Sequence, residues 1–75
     1  MKIYSRDYII SENISRKIIE YYRHRILDKS IYFGRGYIGF TNNKRIIEIN
    51  TLSKNRNQLI KAKLEDEFNF KLKTA

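Results

Sequence analysis

The sequence of 75 residues contains no cysteine, no proline and no tryptophan, and it has a single histidine. Without cysteine the chain can form neither a disulfide nor a thiolate metal site. His24 alone cannot hold a zinc ion, and no metal-binding or phosphate-loop motif is present, so we predict no metal site and no cofactor. The lack of cysteine is typical of intracellular proteins, and we expect a cytoplasmic location.

Long hydrophobic runs are also missing. No apolar stretch approaches the roughly 18 residues that span a bilayer, and the first ten residues are too short and too polar for a signal peptide, so we expect no membrane partner. A hydrophobic content of 41% with ten aromatic residues nevertheless argues against disorder. We predict a single domain over residues 1–75, whose thin stability margin a homodimer or a bound partner could increase.

Acidic residues are scarce, since eight Asp and Glu stand against sixteen Lys and Arg, and the formal net charge is +8. Half of this excess falls in residues 31–58, where five bases accompany one acid, Glu48. Such a balance favours a polyanionic partner, most often nucleic acid. An acidic protein surface is the alternative, and a charge that serves only solubility is a third interpretation.

Hydrophobic periodicity predicts a strand over 2–10, a helix over 12–28, strands over 30–41 and 44–50, and a second helix over 55–72. Ser11, or alternatively Asn13, is suited to cap the first helix, and residues 55–58 resemble a capping box for the second. The order predicts an α+β fold. We expect a small β-α-β-β-α domain with two amphipathic helices packed on one face of a two- to three-stranded sheet.

The middle strands are predicted to form a hairpin. Asn42 and Asn43 tolerate positive φ and would occupy the centre of a two-residue type I′ turn. This turn would place Tyr37 opposite Glu48. A register shift of one residue would exchange the two faces of the hairpin, so the assignment of faces depends on the turn.

All three glycines of the chain lie within residues 32–40. In the predicted register Gly34 and Gly36 face the helices, where a missing Cβ allows close packing. Gly39 lies on the opposite, open face, where it would leave room for a ligand beside the aromatic side chains.

The open sheet face is the first candidate binding site. It would present aromatic and basic side chains from three strands, namely Phe33, Arg35, Tyr37, Lys44 and, if Ile3 and Ile9 point inward, Tyr4, Arg6 and Tyr8. Alternating rings and bases suit nucleic acid, because rings stack on unpaired bases while Arg and Lys contact phosphates.

The predicted hairpin tip is the second candidate. Lys44 and Arg45 make it basic, and Arg56 follows in the first turn of the second helix. Such a tip can lie on phosphates, much as the wing of a winged-helix domain does. The third candidate is the polar side of the first helix, with Arg16, Lys17, Arg23 and His24 interrupted by Glu20.

Catalytic groups are sparse, and we predict that the protein is not an enzyme and has no catalytic residue. No partner that would make a nucleophile pair with His24 can be identified from the sequence. Glu65, Asp66 and Glu67 are the only acidic cluster, and on a helix they would point about 100° apart, which does not build a paired carboxylate or a metal cage.

Together these features predict a small basic module that binds DNA or RNA, single- or double-stranded, through the aromatic and basic sheet face and the basic hairpin tip. The alternative is a small phage or mobile-element inhibitor or adaptor that docks on the acidic surface of a host nucleic-acid enzyme. A homodimer whose core is the aromatic sheet face is a third hypothesis.

Overall fold

The computed structural model describes residues 3–27, 30–33, 36–41 and 43–75. These residues form, in chain order, β1 (Tyr4–Ile9), α1 (Glu12–Tyr21), a 3₁₀ turn (Arg23–Arg25), β2 (Ile26–Leu27), β3 (Ser30–Phe33), β4 (Gly36–Thr41), β5 (Ile46–Thr51), α2 (Lys54–Phe68) and β6 (Lys73–Thr74). The described strands make one antiparallel open sheet in the order β2-β3-β4-β5-β1-β6. The α+β class is confirmed, whereas the predicted number of strands, two to three, is wrong.

The additional strands arise where the predicted elements were too long. The helix predicted over 12–28 ends at Tyr21, and residues 26–27 pair with β3 instead. The strand predicted over 30–41 is two antiparallel strands, β3 and β4, with Phe33 opposite Gly36. This division changes which residues share a face, because Phe33 lies with Gly36 and Tyr32 lies with Tyr37.

The second helix is also shorter than its hydrophobic stripe. It ends at Phe68, and Asn69 takes the left-handed conformation, with φ of 54°, that asparagine accepts more readily than most residues. Leu72 is buried as the stripe requires, but it lies beyond the helix, and the next two residues form β6 beside β1. The i, i+4 spacing of apolar residues therefore extends past the end of the helix at Phe68 to Leu72.

Both helices start at a serine cap. The Ser11 Oγ accepts a hydrogen bond from the backbone N–H of Ile14 at 3.2 Å, which confirms the predicted cap of α1. For α2 the predicted capping box at residues 55–58 is wrong. Ser53, in an extended conformation, accepts from the N–H of Arg56 at 3.2 Å, and the helix begins one residue later.

The hydrophobic core lies between the two helices and one face of the sheet. The strands contribute alternate residues and the helices contribute Ile18 and Leu64, so that the buried hydrophobic set is Tyr8, Ile10, Ile18, Tyr22, Ile31, Ile38, Ile47, Ile49, Leu64 and Leu72. The opposite face of the sheet has no helix over it among the described residues. Alternation of period two therefore separates a covered face from an open one.

The register between β4 and β5 differs from the predicted one by two residues. Tyr37 lies opposite Asn50, and Glu48 lies opposite Gly39. Residues 42–45 separate the strands, so the predicted two-residue turn is wrong; Asn43 and Lys44 have φ of 57° and 68°, and Asn42 lies outside the described residues. Because the shift is an even number of residues, the side chains of β4 and β5 stay on their predicted faces.

The two described glycines confirm this assignment. A Cβ on Gly36 would lie 2.9 Å from the carbonyl oxygen of Asn50 and 2.9 Å from Thr51 Cγ2, so the strand packs closely there. A Cβ on Gly39 would meet no atom within 4 Å, because this residue faces open space. Gly34 lies outside the described residues.

A buried asparagine ties α2 to the sheet. Asn57 is fully buried, and its Nδ2 donates to the carbonyl of Ile49 at 2.8 Å and to that of Tyr4 at 3.4 Å. Its Oδ1 accepts from the hydroxyl of Tyr8 at 3.4 Å. One amide group therefore connects the helix with the neighbouring strands β1 and β5.

Candidate nucleic-acid interface

The open sheet face can be read as three rows of side chains that run across the strands. Directly opposite residues share a face, and the rows are Tyr32–Tyr37–Asn50–Ser5, Ser30–Gly39–Glu48–Asp7 and Thr41–Ile46–Ile9–Lys73. The rings of Tyr32 and Tyr37 lie 5.5 Å apart, which places an aromatic pair in the first row. Tyr37 is thus on the open face, as predicted, and Arg35 lies outside the described residues.

The orientation predicted for the first strand is wrong. Tyr4 lies opposite Thr51 and Arg6 opposite Ile49, which puts both residues on the face that the helices cover. Tyr8 is 1% exposed, and burial raises its pKa, whereas Ile9 is 52% exposed. Both faces of this strand carry large apolar residues, so alternation alone could not choose between them.

Phe33 is also misplaced by the sequence interpretation. It lies opposite Gly36 on the covered face, and its ring centroid is 5.0 Å from that of Tyr22. The reason is that β3 and β4 are two antiparallel strands and not one. The predicted single strand placed Phe33 beside Tyr37 on one face, whereas in the structure Tyr32 takes that position.

The open face is poor in bases. Asp7 and Glu48 lie directly opposite each other in the middle row, and Lys73 is the only base among the described residues of the three rows. Two neighbouring carboxylates repel phosphate, since like charges at close range raise the energy of the complex. The aromatic pair is present, but the charges beside it do not suit a phosphate backbone.

The hairpin tip is held against α1. Ser15 is fully buried, and its hydroxyl donates a hydrogen bond to the backbone carbonyl of Lys44. The N–H of Ile10 donates to the carbonyl of Arg45 at 2.9 Å. The side chains of Lys44 and Arg45 are exposed, so the tip presents two bases from a fixed backbone and is not a free wing.

This contact anchors the tip beside the first half of α1, on the side of the helix that faces the core. Glu12, Asn43, Lys44 and Arg45 line one open depression, and further along α1 the side chains of Arg16, Lys17 and Tyr21 are exposed. We call this region the tip–helix surface and define it by the residues Glu12, Arg16, Lys17, Glu20, Tyr21, Arg23, Lys44 and Arg45. With five bases and two acids, it has a formal charge of +3.

Both acids of the tip–helix surface are paired with arginine. Arg16 Nη2 lies 2.6 Å from Glu12 Oε1, and Arg23 Nη1 lies 3.5 Å from Glu20 Oε1. These are the two ion pairs among the described residues; three of the side chains are largely exposed and that of Glu12 is partly exposed. Lys17, Lys44 and Arg45 make no ion pair with any described residue, and their charges are available to a partner.

Tyr21 is a member of this surface that the sequence interpretation missed. Its side chain is 57% exposed although the neighbouring Tyr22 is buried. The i, i+4 spacing places Tyr21 on the same helix side as Lys17, and this relation could have identified it from the sequence. It was overlooked because the apolar stripe of α1 already accounted for one tyrosine of the pair.

Arg56 is not brought together with the tip. It is exposed in the first turn of α2, beside a small cavity lined in part by Phe33 and Gly36. α2 follows the end of β5 that is remote from the tip, and a six-residue strand is about 20 Å long. The predicted site residues therefore fall into separate regions, and only Lys44 and Arg45 belong to the tip–helix surface.

His24 is exposed in the 3₁₀ turn, and the described residues contain no group of three or more His, Asp or Glu placed to hold a metal ion. Neither of the helices that the structure describes has the length and apolar character needed to cross a membrane. Comparisons of the chain with protein-family models, with curated proteins and with solved structures gave no match.

Proposed function

We propose that this protein binds nucleic acid, and that the tip–helix surface contacts the phosphate backbone of DNA or RNA. The observation that carries the proposal is the hydrogen bond from Ser15 to the carbonyl of Lys44, which joins two basic segments into one surface. Neither segment alone offers more than a few bases. Together they place the exposed Lys44 and Arg45 next to the helix that carries the exposed Arg16 and Lys17, and basic side chains of this kind contact phosphates.

The distribution of charges favours the tip–helix surface over the open sheet face as the place of the phosphate contacts. Lys17, Lys44 and Arg45 are exposed, and the acids beside them are already paired with arginine. On the open face, Asp7 and Glu48 lie together without an ion pair to any described base. A polyanion is attracted to the tip–helix surface and repelled by the open sheet face.

The geometry of the tip supports the proposal as well. Two hydrogen bonds to backbone carbonyls, one from the Ser15 hydroxyl and one from the Ile10 N–H, fix Lys44 and Arg45 before any ligand arrives. Binding then orders two side chains but not the backbone of the turn, and the entropy lost on binding is smaller. Contacts of this kind position a protein on nucleic acid without reading its sequence.

The test is the affinity for labelled single- and double-stranded DNA and RNA, measured by fluorescence anisotropy at several salt concentrations. We expect binding at about 50 mM salt that weakens steeply as salt is added, because each neutralised phosphate releases counterions. The double variant Lys44→Gln/Arg45→Gln should bind every form more weakly, and the slope of log K against log salt should fall by about 0.7–0.9 for each lost phosphate contact.

Lys54→Gln is the matched control. It removes one positive charge, half of what the tip variant removes, from an exposed residue in the first turn of α2, and the comparison is therefore made per charge removed. We expect it to change the affinity much less than the tip variant does. Absence of binding to all four forms at low salt would contradict the proposed function, and equal losses in the control and the tip variant would contradict its location.

A second candidate function is protein binding, as a small inhibitor or adaptor. The observation that favours it is the open sheet face, where the Tyr32–Tyr37 pair and the exposed Ile9 surround polar groups. Tyrosine is enriched at the energetic centres of protein interfaces. Affinity purification that recovers no stoichiometric protein, together with clear nucleic-acid binding, would remove this candidate.

A further inference from the structure

We propose that Tyr21 is a stacking platform for an unpaired base, so that the tip–helix surface binds single-stranded nucleic acid more tightly than duplex. This inference rests on the proposed function, and it adds to it the class of nucleic acid and the residue that selects it. Phosphate contacts alone would not separate single strands from duplexes in this way.

The Tyr21 ring is held in place by two other rings. It lies edge-to-face with Tyr22, with 4.8 Å between centroids and 79° between planes, and with Phe68 at 5.5 Å and 85°. More than half of the side chain is nevertheless exposed, at 57%. A ring that is oriented in advance loses little conformational freedom when a base stacks on it.

Bases for phosphate binding lie beside this ring. Arg16, Lys17, Glu20, Tyr21 and Phe68 line an open depression of about 550 Å³ between α1 and the end of α2. The acid in this set, Glu20, is paired with Arg23. The depression therefore combines an exposed ring with Lys17, which has no ion pair to a described residue, and Arg16, which is paired with Glu12, and rings beside basic side chains are what single-strand-binding proteins use for bases and their phosphates.

The chemistry of the ligand follows from this arrangement. A duplex keeps its bases stacked and paired, so it offers phosphates to the lysine and arginine but no free base to the ring. A flexible single strand offers both. Because every base has a π-face, the platform should accept bases with little sequence preference.

The experiment compares three labelled probes of equal length by fluorescence anisotropy: an oligothymidine strand, a strand of abasic sites, and a duplex. Tyr21→Ala should weaken binding of oligothymidine roughly 5- to 150-fold, the range that one base–aromatic stack provides. The affinities for the abasic strand and the duplex should stay within about twofold. Tyr21→Phe, which keeps the ring, should bind oligothymidine like the unmodified protein.

The outcomes separate this inference from the proposed function. If none of the probes binds at low salt, both fail. If the abasic strand and the duplex bind and Tyr21→Ala leaves oligothymidine binding unchanged, the stacking platform is overturned while the proposed function stands. An equal loss for all three probes would show that Tyr21 acts through folding, and this result would also overturn the inference.

Discussion

The hydroxyl of Ser15 donates a hydrogen bond to the backbone carbonyl of Lys44, across 29 positions of sequence. Lys44 has a φ of 68°, a left-handed conformation that costs a non-glycine residue roughly 1–2 kcal/mol. The bond helps to offset this strain, and it fixes the hairpin tip on the side of α1. A contact between a helix and a turn thus determines which bases of the chain share a surface.

Replacing Ser15 by alanine should loosen the tip. The bond to the Lys44 carbonyl is lost, which lowers the free energy of unfolding by about 1 kcal/mol, and the better helix propensity of alanine offsets part of this loss. The backbone amide order parameters of residues 43–45, measured by ¹⁵N relaxation, should fall from about 0.85 towards 0.6. Affinity for nucleic acid should decrease with them.

Ser11→Ala is the control for this variant. It removes the N-cap of the same helix and should cost about 1 kcal/mol as well, but it leaves the Ser15 bond in place. We expect the order parameters of residues 43–45 to stay high in Ser11→Ala. Equal mobility of the tip in both variants would contradict the role assigned to Ser15.

The glycines of β4 offer a matched pair of substitutions. In Gly36→Ala the new Cβ would clash with the Asn50 carbonyl oxygen and Thr51 Cγ2, and we expect a loss of about 1–3 kcal/mol in the free energy of unfolding. Gly39→Ala meets no atom within 4 Å and should be neutral or stabilising by up to about 1 kcal/mol. Urea denaturation of the two variants measures the difference, and similar losses in both would refute the assignment of the two faces.

The Asn57 amide should contribute strongly to stability. Asn57→Ala leaves the carbonyl of the fully buried Ile49 without this donor, and one unsatisfied buried group costs about 1–3 kcal/mol. The neighbouring Gln58 is exposed, and Gln58→Ala should change stability by less than about 0.5 kcal/mol. A urea midpoint for Asn57→Ala that equals the midpoint of Gln58→Ala would contradict the tie between α2 and the sheet.

Stability should depend on acid pH through Glu67. The Tyr22 hydroxyl donates to Glu67 Oε2 at 2.6 Å, and this bond lowers the pKa of Glu67 below its ordinary value of 4.5. A pKa that is lower in the folded state contributes stability above the unfolded value, and this contribution is lost as the pH falls through the folded value. The free energy of unfolding should therefore decrease below about pH 4.5, and less so in Tyr22→Phe.

Alkaline pH tests the hydrogen bond between Tyr22 and Glu67 through the titration of the tyrosine. Burial, with the bond to Glu67, raises the pKa of Tyr22 above its ordinary value of 10.0. The stability that this shift reflects is present below pH 10 and is lost as the pH rises. Tyr22→Phe should flatten this alkaline loss, whereas Tyr32→Phe on the open face should not. Identical alkaline profiles for the two variants would contradict the environment assigned to Tyr22.

Features that depend on residues close together in the sequence could be predicted from it. The cap at Ser11 and the face assigned to Tyr37 are confirmed, the second because the register error was an even number of residues. The sequence could not decide which face of the first strand is buried. The first strand has large apolar residues on both sides, and burial of Tyr8 rather than Ile9 depends on the contact with Asn57.

The candidate site could be predicted only in part for the same reason. Lys44 and Arg45 were identified because a polar turn between strands is a local feature. Their position beside Glu12 and Ser15 of α1 depends on the packing of α1 on the sheet, which no local pattern contains. The tip–helix surface was therefore predicted as two separate candidates, and its aromatic member Tyr21 was not predicted at all.

The central claim is that the tip and α1 form one nucleic-acid-binding surface. A titration of ¹⁵N-labelled protein with unlabelled single-stranded DNA, followed by amide chemical shifts, tests it most directly. We expect the largest shifts together at residues 12–21 and 43–45, with small changes at Gly39, Glu48 and Asn50 on the open sheet face. Shifts concentrated on those sheet residues, or at only one of the two basic segments, would contradict it.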